Sequence, residues 1–258
     1  MTVLTLAMRE VIRFLRQRSR VTGAILQPLV FWLLLGSGLS ASFRPGPNPG
    51  EGTYVEYFFP GILALAVLFS AVFSTIAVVE DRRSGFLQGV LVAPVSRFGV
   101  VAGQALGSTI LGGVQAALLL ALAPAAGVPL TWRAAAAAMG VLALLAFALS
   151  ALGLALAWRM SSTQGFHAIM NLVLMPLWLL SGAFFPAAGV PGWMGAVMAV
   201  NPLTYGLALL RRALYIDAPG PWEAGLPPVL GSLAVITLFG LAAHIVAALQ
   251  ARREQPAQ

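Results

Sequence analysis

The residues that could do chemistry are few, and their spacing suits almost none of it. His167 and His244 are the only histidines, and neither has a second ligand at i+4, so no zinc donor set forms. Both are read as satisfied or interfacial imidazoles. Ser161 and Ser162 lie near His167, but hydroxyls and one imidazole without an orienting acid do not make a nucleophilic triad. The chain has no cysteine, which removes disulfides, thiolate metal sites and cysteine nucleophiles together. It has no lysine either, so a G-x-x-x-x-G-K-[ST] phosphate loop cannot be formed. Membrane hydrolysis or ion coupling would need acids at membrane depth, whereas Glu56 and Glu80 lie at the ends of apolar runs. The sequence therefore predicts no stand-alone enzyme, no catalytic residue, no metal site and no cofactor held by this chain.

What remains is a set of polar and small residues inside long apolar runs. Gln27, Ser70, Ser74, Thr75, Gln104, Ser108, Gln115 and Asn171 are costly in hydrocarbon, and each either bonds a neighbouring helix or lines a path. Gln27, Ser74, Gln104, Gln115 and Asn171 are the candidate pathway residues. Gly99, Gly103 and Gly107 recur at i+4 and make two overlapping GxxxG steps, a flat strip for close approach of a helix within the chain or across a dimer.

Those residues are positioned by six apolar runs, near 21–42, 54–79, 98–123, 133–157, 165–185 and 226–250. About 20 apolar residues suffice to cross the hydrocarbon as a helix. With 258 residues, 59% apolar and 9% charged, the chain reads as one membrane domain over 1–258. Pro186, Gly189, Pro191, Gly192 and Asn201-Pro202 cut residues 184–216 into pieces too short to span, so these are expected to dip into the outer leaflet. In residues 1–20, Arg9, Arg13, Arg16 and Arg20 oppose a stripe of Leu4, Met8, Val11 and Leu15. This predicts an interfacial helix with its arginines among lipid phosphates.

The net charge of +7 comes from 15 arginines, of which eleven flank the runs on one side and four, Arg44, Arg133, Arg211 and Arg212, on the other. Charge grouped at span ends points to lipid and not to nucleic acid, and the bias places both termini in the cytoplasm. The predicted fold class is an all-α membrane protein: six transmembrane helices, an N-terminal amphipathic interfacial helix, short outer re-entrant helices before the last span, and cytoplasmic termini. Trp32, Trp178, Trp193 and Trp222 are read as interfacial belts.

One inner loop is richer than a connector. From Glu80 to Arg97 it reads as a charged turn, Glu80-Asp81-Arg82-Arg83-Ser84-Gly85, followed by a short apolar helix ended near Pro94. Phe86, Leu87, Val90 and Leu91 together need a membrane surface or a protein groove. This segment resembles the loop between the second and third spans of type-2 ATP-binding-cassette transporter permeases. Leu180-Ser181-Gly182-Ala183-Phe184-Phe185-Pro186 is similar to their fifth-span exit, and Asn201-Pro202-Leu203-Thr204-Tyr205-Gly206 with Arg211 resembles the Asn-Pro motif before their last span. The resemblance covers nearly the whole chain and is strongest to drug-resistance and nodulation-type export permeases.

The resemblance implies a bacterial inner-membrane permease pairing with a second copy of itself and two copies of a separate ATPase that carries ATP and magnesium. The segment 80–97 would act as a coupling helix in the ATPase groove, with Glu80, Arg83, Gly85, Phe86, Leu87, Leu91 and Pro94 carrying the coupling and Glu80 and Arg83 holding a hinge. Residues 184–216, with Asn201, Pro202, Tyr205 and Arg211, would close the outer end. A second coupling contact near Arg159-Met160-Ser161-Ser162-Thr163 stays open. The expected cargo is an amphiphilic drug-like molecule or lipid. A glycoconjugate exporter and a non-transporting anchor that recruits a soluble partner through the same loop are the alternatives.

Overall fold

The computed structural model describes residues 2–39, 53–87, 89, 96–187, 190–217, 223 and 225–253, and among these it holds helices and turns without a strand. Helix α1 (Thr2–Arg16) lies ahead of the first span, α2 (Arg18–Leu39). Helices α3 (Tyr54–Ser74) and α4 (Ile76–Arg83) make one 30-residue apolar stretch broken at Thr75, whose hydroxyl donates back to the Val72 carbonyl at 2.7 Å. Then follow α5 (Arg97–Leu120), α6 (Trp132–Ala157), α7 (Thr163–Trp178) with a wide turn at Leu179–Ala183, α8 (Gly192–Val200), α9 (Pro202–Leu214) and α10 (Val229–Arg253).

Local sequence sets the helix starts. Thr53 and Glu56 form a reciprocal capping box at α3, at 3.2 and 3.4 Å. Ser96, Thr131 and Ser162 accept from the N–H groups of Gly99, Ala134 and Gly165 and so cap α5, α6 and α7.

Six helices are long and apolar enough to cross a membrane. The second, Tyr54–Arg83, is 94% buried in its most apolar window and forms the axis of the bundle. The first and last spans are 11% and 17% buried and lie at the periphery, with Leu33, Leu34, Leu230, Leu238 and Ile245 facing outward. An apolar exterior of this kind needs hydrocarbon as its solvent.

Helices α8 and α9 meet at 81°. At about 1.5 Å per residue they reach only about 14 and 20 Å, short of the ~30 Å core, so the bent pair fits a re-entrant excursion better than a seventh crossing.

Two expectations about elements need correction. Glu80 to Arg83 are not a charged turn but the last turn of α4; the chain leaves the helix at Ser84 and Gly85, where glycine's φ of +75° is the left-handed conformation that side-chain-bearing residues avoid. Trp178 is not an interfacial belt residue: it is fully buried, and its indole N–H donates to the Gly61 carbonyl at 2.8 Å. Trp193 is 64% exposed, while Trp222 lies outside the described residues.

Candidate functional site

At the arginine-rich end, α1 presents three faces. Ala7 and Glu10 are buried against α5, Arg9 and Arg13 point toward the end of α4, and Leu4, Met8, Ile12 and Leu15 are exposed. The GxxxG strip explains the fit. A Cβ on Gly103 would come within 2.8 Å of Leu6 Cβ, and one on Gly107 within 2.9 Å of Glu10 Cβ. The helix that Gly103 and Gly107 receive is thus α1 of the same chain. Gly99 is buried in the first turn, where its N–H meets the Ser96 cap at 3.0 Å.

Arg9 grips Asp81 with both terminal nitrogens, at 2.7 and 2.8 Å, and its guanidinium sits 3.8 Å from the Phe86 ring centroid. Arg13 bridges Asp81 at 2.9 Å and Glu80 at 2.5 Å. These arginines therefore clasp α4 and do not lie free among lipid phosphates: a buried carboxylate competes better for a fork of donors than a mobile headgroup in water. Burial, then the nearby Asp81 charge, pushes the Glu10 carboxyl up to about 7, while the hydrogen bond to Asp81 raises the Arg9 guanidinium above its ordinary value.

The same end ties in the loop after α6. Arg82 donates to the carbonyls of Met160 at 2.5 Å, Trp158 at 3.0 Å and Ala157 at 3.5 Å, satisfying acceptors that a helix C-terminus leaves open. Arg83 is exposed and reaches Thr163 Oγ1 at 3.4 Å, so the expected Glu80 and Arg83 hinge is arranged differently: Glu80 is held by Arg13, and Arg83 faces α7. Leu87 is 2% exposed and belongs to the protein's own core, so it is not on an exposed docking face, whereas Phe86 is 42% exposed beneath Arg9. Gly85 is exposed; Val90, Leu91 and Pro94 lie outside the described residues.

Beside this end a cavity of about 390 Å³ opens between α2, α3 and α7. Phe14, Phe69, Phe73 and Ile76 give it apolar walls, and Gln27, Ser70, Ser74, His167 and Asn171 supply polar edges. His167 stacks on Phe73 with ring centroids 5.2 Å apart. Of the five predicted pathway residues, Gln27, Ser74 and Asn171 are brought together here. Gln104 and Gln115 are not: both are buried in helix packing, and Gln115 Nε2 donates to the Ala24 carbonyl. Gln115 thus serves the interhelical bonding that was the other reading of intramembrane amides, whereas the Oε1 of Gln104 is buried without a hydrogen-bond partner among the described residues.

At the opposite end the fifth span breaks. Its helix widens over Leu179–Ala183, and Gly182 takes φ +86°. The carbonyls freed by this break are collected by the residues of the predicted outer motif. Asn201 Nδ2 donates to Leu177 O at 2.7 Å and Leu180 O at 2.8 Å, while its Oδ1 accepts from Leu203 N–H at 2.9 Å and so caps α9, where Pro202 occupies the first helical position. Tyr205 donates its hydroxyl to Ala199 O at 2.6 Å. Arg211, 4% exposed, donates to Gly182 O at 2.8 Å and lies 4.0 Å from the Tyr57 ring centroid; Tyr57 donates to the same carbonyl at 2.9 Å.

Asp81, Arg82 and Tyr57 were given no role of their own by sequence reasoning, and Arg9 and Arg13 were assigned to lipid phosphates in place of an acid. Arg9 and Arg13 at i,i+4, set against the adjacent Glu80-Asp81 pair, were the signal available for the clasp.

Residues 1–215 match the family described as ABC-2 type transporter. The chain is 28% identical over 211 residues to a putative transport permease, ycf38, of Cyanophora paradoxa, covering 80% of this chain and 71% of the relative. It is 25% identical over 229 residues to the daunorubicin resistance ABC transporter permease protein DrrB1 of Streptomyces coeruleorubidus, with 86% and 78% covered. Nodulation protein J of Sinorhizobium fredii is 27% identical over 229 residues, with 86% and 83% covered. Six apolar helices together with permease relatives place the chain as a multi-pass protein of the inner membrane. With its family match running through the re-entrant helices, the chain belongs to the ABC-2 type transporter family.

Proposed function

We propose that the chain is the permease of an ATP-driven exporter that moves an amphiphilic, drug-like or lipid molecule outward from the cytoplasm or inner leaflet. The arginine-rich end faces the cytoplasm, in keeping with the charge bias, and meets a separate ATPase that holds ATP and magnesium. Two permease copies and two ATPase copies make up the complex.

The observation that carries this reading is the cavity between α2, α3 and α7, whose aromatic walls and sparse polar edge suit a molecule with an apolar body and a few polar groups. The exposed face of α7 supports a second copy: Gln164, His167 and Asn171 follow one another at three and four residues and are all exposed. Amides and imidazoles at bilayer depth are costly against lipid tails and are at home against a water-lined path or a facing helix. The DrrB1 relative, named for daunorubicin resistance, supports the drug-like class.

The test is co-purification with the ATPase encoded nearest to this chain, followed by ATPase activity in nanodiscs with a graded series of amphiphiles. An anthracycline or lipid should stimulate hydrolysis, and Ser74→Trp, which fills the cavity, should abolish stimulation while the complex still assembles. Failure to assemble with any ATPase would turn the reading to a membrane anchor. Stimulation only by a glycoconjugate would overturn the substrate class and leave the exporter.

A further inference from the structure

We propose that Arg211 is the latch of the outer end: outward opening requires its guanidinium to leave the Gly182 carbonyl. The gating half of this inference rests on the exporter reading above, and the closed-state contact it starts from does not.

Three elements meet at one carbonyl oxygen. Gly182 belongs to the broken end of the fifth span, Tyr57 to the first turns of the central span and Arg211 to the second re-entrant helix. Both donors, Arg211 Nη2 at 2.8 Å and the Tyr57 hydroxyl at 2.9 Å, converge on Gly182 O, while a second and longer contact runs from Nη2 to Tyr57 O at 3.5 Å. The oxygen can be shared because the helix has opened here and the carbonyl has left its ordinary ladder.

Arg211 is an unusual residue to bury at this place. Among the described residues no carboxylate comes within ion-pair distance of it, and its Nε is buried without a hydrogen-bond partner. Among the described residues its charge is balanced only by carbonyl dipoles and by the face of the Tyr57 ring at 4.0 Å. An ion pair would hold the arginine against one neighbour through any rearrangement. Dipoles hold it only while three separate segments keep their present positions, so the contact is strong when closed and offers little when the segments part. Asn201 differs in kind: it spans Leu177, Leu180 and Leu203 across the bend and ties the re-entrant helix to the span as a hinge that can persist. Hinge and latch on the same two elements are what a swinging segment requires.

The experiment exploits the absence of native cysteine. Met198, 2% exposed, packs against the Gly182 bend, and Met198→Cys gives one buried thiol there. The complex is placed in nanodiscs, where a hydrophilic maleimide reaches both faces, and the labelling rate is read with and without vanadate-trapped nucleotide. In the nucleotide-free complex Arg211→Gln should raise labelling about tenfold, the population shift that a loss of about 1.4 kcal/mol of closed-state bias produces. Tyr57→Phe, which keeps the ring and removes one donor, should raise it about threefold, and Arg211→Lys should fall between Gln and the parent. In the trapped complex, parent and variants should label alike, a convergence that a merely destabilised fold would not give.

Equal labelling of the parent and Arg211→Lys in the nucleotide-free complex would overturn the latch, and this charge-keeping variant decides the matter even if Arg211→Gln fails to fold. A variant effect that persists unchanged in the trapped complex would also overturn it. Labelling that changes as described in a chain whose ATPase is stimulated by no amphiphile would leave the latch standing and remove the exporter reading.

Discussion

Asp81→Asn tests whether the interfacial helix is held by charge or only by packing on the glycine strip. Asp81 is 4% exposed in its side chain and receives three charge-assisted hydrogen bonds, two from Arg9 at 2.7 and 2.8 Å and one from Arg13 at 2.9 Å. Removing one partner of a fully buried pair costs about 3–5 kcal/mol, and an exposed pair is worth at most about 1. Arg9 and Arg13 are 31% and 26% exposed, so water takes over part of their solvation and the cost falls to about 2–3 kcal/mol. A further fraction returns because the Asp81 charge opposes ionisation of Glu10, which leaves about 2 kcal/mol. That is a factor of about 30 in the equilibrium for lifting α1. Amide hydrogen exchange of α1 in nanodiscs should accelerate about 30-fold while α6 amides keep their rates. The double variant Arg9→Gln, Asp81→Asn should cost little more than the worse single change, with a coupling of about 1–2 kcal/mol. Exchange in α1 that changes by less than about twofold, or strictly additive single changes, would refute the clasp.

Three further expectations follow from the same geometry. The folded-state value for Glu10 is raised, so its contribution is fully present below the ordinary range near 4.5 and is lost as pH climbs through about 7; the melting temperature of the parent should fall between about pH 4.5 and 7 and level off above, and Glu10→Gln should remove about 1–3 kcal/mol of that decline. Gly107→Val should weaken α1 docking by about 1–3 kcal/mol, despite the helix propensity gained, because its first added carbon meets Glu10 Cβ at 2.9 Å; more protection of α1 in the variant would count against the fit. Asn201→Ala should cost about 2–4 kcal/mol by uncapping α9 and orphaning the Leu177 and Leu180 carbonyls, whereas Asn201→Asp keeps the cap and loses only the donors, so denaturant midpoints should rank parent, Asp, Ala.

The helical architecture was legible because bilayer thickness imposes a length on apolar runs and a cost on charge within them. The run read as 54–79 became Tyr54–Arg83 because Glu80, Asp81, Arg82 and Arg83 are charged yet partnered, and partnered charges can extend a helix that composition alone would stop. The motif Asn201-Pro202 was legible as a breaker and a helix start; that its amide also closes the fifth span could not be, since Leu177 and Leu180 lie more than twenty residues away. Gln104 and Gln115 carry the same chemistry as Gln27, and only their position on α5, turned into the packing, separates buried amides from one that lines the cavity.

The sequence by itself determined the solvent, the number of crossings, the amphipathic first helix and the breaks in 184–216, because each follows from local pattern measured against one external length. Tertiary structure decided the pairing. Which helix fills Gly103 and Gly107, which acid receives Arg9 and Arg13, why Leu87 turns inward, and which carbonyl holds Arg211 are contacts between segments far apart in the chain. Arginine offers the same five donors wherever it stands, and only the fold selects which acceptors come within reach.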